Sequence, residues 1–196
     1  MIIDVRNPEG LREAAQFAIT ELGRLDAAVA AAAVIIGGKP LWETPAEHLQ
    51  TLMDVDVIGV WNTASACVPH MLASSNPSGC RFVAVASAAG TQGLFRLAGY
   101  NAAKHAVIGI VKGLAADLVG TGVTAVAVSP GSTDTDMLRA TADLYELSDV
   151  NDFASSQLIR RLISPSEIAS TIAFCCSIEG AALNGSVVSA TGGFGS

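Results

Sequence analysis

Short apolar runs alternate along the chain with longer stretches in which apolar residues return at helical spacing. The runs Ile2–Val5, Ala27–Ile36, Arg81–Ala86, Val123–Val128 and Ser186–Ala190 read as strands. Between them, Pro8–Leu22, Ala46–Ala73, Leu97–Val119, Thr133–Leu147 and Pro165–Ser177 read as helices. This order predicts an α/β fold, three layers deep, with a mainly parallel sheet and helices on both faces. Several boundaries carry their own signals. Pro8 suits a first helical turn, Thr44 and Pro45 with Glu47 read as a helix start, and Gly79 and Gly122 stand just before strands. Ala27–Ala33 is a conflict, because alanine favours helix where the order calls for a strand. Small side chains suit a strand beside a closely apposed ligand, so the order is followed.

Composition narrows the function classes. Of 196 residues, 51% are apolar and only 15% charged, which predicts one packed domain and no extended disorder. A net charge of −7 repels polyanions, so nucleic acid is not an expected partner. The longest apolar run, Ala27–Ile36, is half the length of a membrane span, so no membrane partner is expected either. The first residues carry Asp4 and Glu9 where a secretory leader has a basic and then an apolar stretch, which predicts a cytoplasmic protein. Cys67, Cys80, Cys175 and Cys176 lack paired spacing and read as free thiols. Cys67 and His70 alone are too few to hold zinc, and no metal is expected.

The residues that stand out chemically are Ser87, Tyr100 and Lys104. A Tyr and a Lys four apart share one face of a helix, where an ammonium lowers a phenol pKa through space. Ser87 follows the run FVAVA, at the carboxyl end of a strand, where open α/β sheets bind ligands. Such a phenol exchanges a proton with an alcohol or ketone while hydride moves to or from a nicotinamide. A serine hydrolase fits poorly: VASAAG lacks the G-x-S-x-G elbow, and none of His48, His70 and His105 comes late enough in the chain. No G-x-x-x-x-G-K-[ST] run supports an NTPase.

The segments SAAGTQGLFRLAGYNAAK, LAADLVGTGVTAVAVSPGSTDTDM and NGSVVSATGGF resemble the short-chain dehydrogenase/reductases. Their wording is similar to that of the subgroup associated with mycofactocin, a peptide-derived redox carrier. The resemblance runs from DVR near the start to GGF near the end. It implies a Rossmann-type sheet, NAD as cofactor with NADP not excluded, and interconversion of a secondary alcohol and a ketone. It also implies a homo-oligomer, dimer or tetramer, built on the helices at Ala46–Ala73 and Leu97–Val119. By the same resemblance Tyr100 is the acid/base, Lys104 lowers its pKa and holds the nicotinamide ribose, and Ser87 orients the substrate carbonyl. Pro130 and Gly131 border the nicotinamide, with Thr133 and Thr135 following in the same loop. Asp4 and Val5 meet the adenine, and Ala30 and Ala32 lie in the backbone stretch that faces the cofactor. Residues 137–158 read as a substrate lid whose Leu138, Leu144, Tyr145, Leu147 and Phe153 favour a small apolar alcohol or ketone.

The chain departs from the family pattern at three places. The turn TGxxxGxG after the first strand is absent, and Gly37 and Gly38 lack the spacing to replace it. Residues 1–196 therefore read as a single incomplete domain, N-terminally truncated and without the first two βα units. That leaves Ile2–Val5 without a neighbour and Ala27–Ile36 as an unpaired edge, and makes a truncated, inactive fragment the competing reading. Asp56, in VDVIG, stands where the family has the asparagine of a proton relay to the lysine. Its carboxylate either draws the Lys104 charge away from Tyr100 or holds the relay water as well as the amide does. Asn62 lies about 240° further round the helix and is a poor substitute. Finally, the usual NNAG turn reads as alanines at Ala30–Ala33, a subgroup trait.

Overall fold

The computed structural model describes residues 1–195. Four strands, β1 (Ala27–Ala30), β2 (Arg81–Val85), β3 (Thr124–Pro130) and β4 (Val187–Ala190), form one sheet in the order β1-β2-β3-β4, each neighbour parallel. The helices are α1 (Pro8–Leu22), α2 (Ala46–Leu52), α3 (Ile58–Leu72), α4 (Ala98–Asp117), α5 (Asp136–Leu144) and α6 (Pro165–Cys176). The alternation of side chains along the strands splits the core in two. Ala28, Ala30, Phe82, Ala84, Ala125 and Ala127 face α3 and α4, where Val60, Ala64, Val107 and Val111 meet them. Val83, Val126 and Val128 face the other way, onto Cys175 of α6. The expected three-layer architecture is thus present, and the alanines that conflicted with a strand are the small residues that admit the helices.

Local chemistry explains where helices start. Asn7 caps α1 by accepting from Gly10 N at 3.1 Å, and Gly23, left-handed at φ 76°, closes it on Ile19 O. The box expected at Thr44 and Glu47 does not form, since the Thr44 hydroxyl donates to Pro40 O instead. A complete capping box sits at Ser164 and Glu167, opening α6. Thr135 caps α5 through Leu138 N, so the helix expected over Thr133–Leu147 is shorter at both ends.

Two strand expectations are corrected. Ile2–Val5 is not a strand, because a strand needs a partner and none adjoins it among the described residues. It lies instead along α3, held by Asn62 Nδ2 donating to Val5 O at 3.0 Å. Gly59 permits that approach, since a Cβ there would sit 2.6 Å from Val5 Cγ2. The run Ala27–Ile36 pairs only as far as Ala30. Beyond it Val34 N donates to Asp56 Oδ1, and Val34, Ile35 and Ile36 pack around Tyr100 rather than along β2. Among the described residues β1 has no outer neighbour, and Val29 is 42% exposed.

Arg81 ties β2 to the end of α6. Its guanidinium is buried and donates to Ser177 O, Ser78 O, Cys80 O and Ile178 O at 2.8–3.3 Å. A cation at the carbonyl end of a helix is favourable, and its loss strands several buried acceptors. Arg81→Met is expected to cost about 3 kcal/mol, read as a lower denaturant midpoint at unchanged slope.

Candidate active site

A cavity of about 700 Å³ opens at the carboxyl ends of β1, β2 and β3. This is the edge at which an open parallel sheet presents the loops that grip ligands. Ser87 enters from the end of β2, Tyr100 and Lys104 from the first turns of α4, and Pro130, Gly131, Thr133 and Thr135 from the loop after β3. These residues, far apart in sequence, line one space.

Each side chain has a local reason for its place. Ser87 Oγ accepts from Ala89 N at 3.2 Å, which starts a tight turn and leaves its hydroxyl hydrogen free. Tyr100 and Lys104, one helical turn apart, are both buried. Lys104 Nζ sits 5.4 Å from the centre of the Tyr100 ring and donates to Val85 O at 3.4 Å. The Tyr100 hydroxyl reaches Met137 Sδ at 4.0 Å. Gly37 and Gly38 brace the loop before α4: Gly38, at φ 91°, donates its N–H to Arg96 O at 3.0 Å.

Asp56 lies beneath this floor, wholly buried, in a π turn (Met53–Val57) between α2 and α3. The wider turn inserts a residue into the helical register, a distortion frequent at functional sites. Asp56 Oδ2 faces Lys104 Nζ at 3.2 Å without the alignment of a hydrogen bond, while Oδ1 accepts from Val34 N at 2.8 Å. Burial raises the Asp56 carboxyl above its ordinary value against the pull of Lys104. Burial likewise lowers Lys104 against the pull of Asp56. Tyr100 is pushed up to about 12, first by burial and then by the Asp56 charge, with the Ser87 hydroxyl drawing it back.

Other expected site residues fall elsewhere. Asp4 and Val5 do not line the cavity; Asp4 pairs with Arg6 in solvent. Ala30 is buried in the core and Ala32 is outside the lining, which takes Ala31 and Ala33 instead. Leu138, Tyr145, Leu147 and Phe153 line the cavity, whereas Leu144 packs in the cluster around Tyr100. Met137, the first residue of the expected lid, lines it too, as do Arg96 and Phe194, which carried no signal of their own in the sequence.

The model of a family described as enoyl-(acyl carrier protein) reductase matches residues 1–195. An uncharacterized NAD-dependent oxidoreductase of Mycobacterium tuberculosis is 30% identical over 191 residues, 95% of this chain and 68% of that protein. The chain belongs to the short-chain dehydrogenase/reductase family. It is also 34% identical to the (-)-trans-carveol dehydrogenase of Rhodococcus erythropolis, over 69% of this chain and 48% of that one. A solved structure of ElxO with NADP bound superposes at TM-score 0.86 and 26% identity, covering 97% of this chain and 75% of that one. The aldohexose dehydrogenase of Thermoplasma acidophilum does so at 0.88 and 26%, covering 98% and 76%. The short-chain dehydrogenase/reductases are NAD(P)-dependent oxidoreductases, and the constellation expected from the sequence lies at the carboxyl edge of this member's sheet. Among the described residues, no helix is long and apolar enough to cross a membrane.

Proposed function

We propose that this chain interconverts an apolar secondary alcohol and a ketone, with Tyr100 as acid/base. The observation that carries the reading is the meeting of Ser87, Tyr100 and Lys104 on the floor of one largely apolar cavity. The Ser87 hydroxyl, its oxygen engaged by Ala89 N, donates to the substrate oxygen and fixes the carbonyl. Tyr100 then gives that oxygen a proton in reduction and takes one back in oxidation. Lys104, held by Asp56, sets the local charge. Residues 137–158 act as the lid, with Leu138, Leu147 and Phe153 excluding water.

The nicotinamide end of a dinucleotide fits the residues present. Ala31 and Ala33 leave room beside β1, and Pro130, Gly131, Thr133 and Lys104 converge on the same space. When bound, the nicotinamide supplies or accepts the hydride. The phosphate end is a different matter, since no glycine-rich helix N-terminus borders the cavity among the described residues. The competing reading is a truncated, catalytically inactive chain that keeps only the oligomerisation and substrate half. NAD is the preferred cofactor, with NADP the alternative, and the mycofactocin-associated subgroup is the proposed affiliation. Self-association is proposed through α3, where Ile58 and Trp61 are exposed, together with α4.

Titrating the purified chain with NADH and with NADPH tests the reading by fluorescence. Saturable binding in the micromolar range is expected, tighter for NADH. No binding of either at millimolar concentration would overturn the reading.

A further inference from the structure

We propose that Asp56 keeps the Lys104 charge off the Tyr100 hydroxyl, so that the phenol stays protonated at neutral pH and the site is poised to reduce ketones, oxidising alcohols only in alkaline solution. The proposal rests on Tyr100 being the acid/base.

The contacts of Lys104 carry it. Nζ is spent on Asp56 Oδ2 at 3.2 Å, on Val85 O at 3.4 Å and on the face of the Tyr100 ring, and none of these is the phenolic oxygen. The ammonium and the carboxylate are 2% and 0% exposed, so no water screens the pair and its net field at the phenol is close to that of a dipole. Among the described residues the phenol oxygen has no cationic partner; the Ser87 hydroxyl and Met137 Sδ, at 4.0 Å, are its polar neighbours. The titratable groups facing it are Lys104 from α4 and Asp56 from the π turn, while Ser87 at the end of β2 and Met137 of α5 are uncharged. Arg96, the other cation of the cavity lining, is exposed. Burial without a free counter-charge favours the neutral phenol, in line with a value pushed up to about 12.

A protonated phenol matches reduction. The carbonyl carbon takes a hydride, two electrons and one proton, from reduced nicotinamide; its oxygen takes the phenolic proton, and the phenolate regains a proton from water. Oxidation requires the phenolate from the outset, so its kcat/KM falls about tenfold for each pH unit below the phenol pKa while reduction stays level.

The chain has two tyrosines, so Tyr145→Phe leaves Tyr100 as the only phenol to titrate by ultraviolet absorbance. Near-ultraviolet circular dichroism monitors the fold at each pH. The phenol is expected to stay neutral below pH about 11, and Asp56→Asn in that background to raise its ionisation constant about tenfold or more. Phenol ionisation near pH 8 in the folded Tyr145→Phe chain, or no shift on adding Asp56→Asn, overturns the proposal. Should Asp56→Asn fail to fold, the unmodified chain decides through its two kcat/KM profiles against pH. Oxidation still climbing through pH 10 over a flat reduction profile supports the proposal, and an oxidation plateau below pH 9 overturns it. A phenol shift without turnover in either direction overturns the oxidoreductase reading while supporting the charge-holding role of Asp56.

Discussion

Tyr100→Phe is expected to lower kcat about 10³-fold in both directions while leaving nucleotide affinity and the melting temperature nearly unchanged. The change removes one oxygen and nothing else. That oxygen bears the transferred proton, yet its neighbours in the folded chain are the Ser87 hydroxyl and a methionine sulfur at 4.0 Å, a weak acceptor. Ser87 Oγ keeps its bond from Ala89 N when the phenol hydroxyl is removed, so the loss strands no charged group. Single-turnover hydride transfer, followed by cofactor absorbance with a ketone and its alcohol in turn, measures the loss. Activity within tenfold of the unmodified chain would remove Tyr100 from its role. Ser87→Ala, which deletes the free hydroxyl donor but leaves the acid/base, is expected to lose less, about 10²-fold.

The parts of the site that were legible in the sequence are those set by local periodicity. Tyr100 and Lys104 share a face because four residues make about one helical turn, and no tertiary contact alters that. Ser87 was placed by the end of an apolar run, which is where β2 ends and the chain turns. What escaped was set by partners distant along the chain. Ile2–Val5 has strand composition, but β structure is a property of pairs, and its backbone is met by the Asn62 amide rather than by a strand. The same Asn62, judged too far round the helix to serve Lys104, has this other task. Asp56 was identified as a departure, but its 3.2 Å approach to Lys104 depends on a π turn that no residue type signals. Phe194 reaches the cavity only once the C-terminal loop has folded over it. Gly37 and Gly38, which read as failed phosphate glycines, instead pack the loop that leads into α4: Gly37 admits the Arg96 carbonyl and the Leu97 side chain, and Gly38 donates its N–H to Arg96 O.

The second large effect concerns stability. Lys104→Met is expected to cost about 3 kcal/mol or more near neutral pH, because it leaves the Asp56 carboxylate buried with only the Val34 N–H to satisfy it. The direction of the pH dependence follows from the same burial. Asp56 already sits above its ordinary carboxylate value in the folded chain, and removing the Lys104 charge that opposes the rise takes it higher. A group whose folded pKa is raised favours folding below its unfolded pKa and loses that advantage as pH rises through the folded value. The deficit of the variant is therefore smallest below about pH 4, where the carboxyl is protonated in both states, and grows through the window up to the raised value. Replacing both partners, as Asp56→Leu with Lys104→Met, removes both desolvated charges and is expected to recover most of the loss. Urea denaturation of the unmodified chain and the three variants, at several pH values, closes the thermodynamic cycle. A deficit for Lys104→Met that shrinks as pH rises, or a double variant no more stable than the single one, would show that the pair is not coupled in this way.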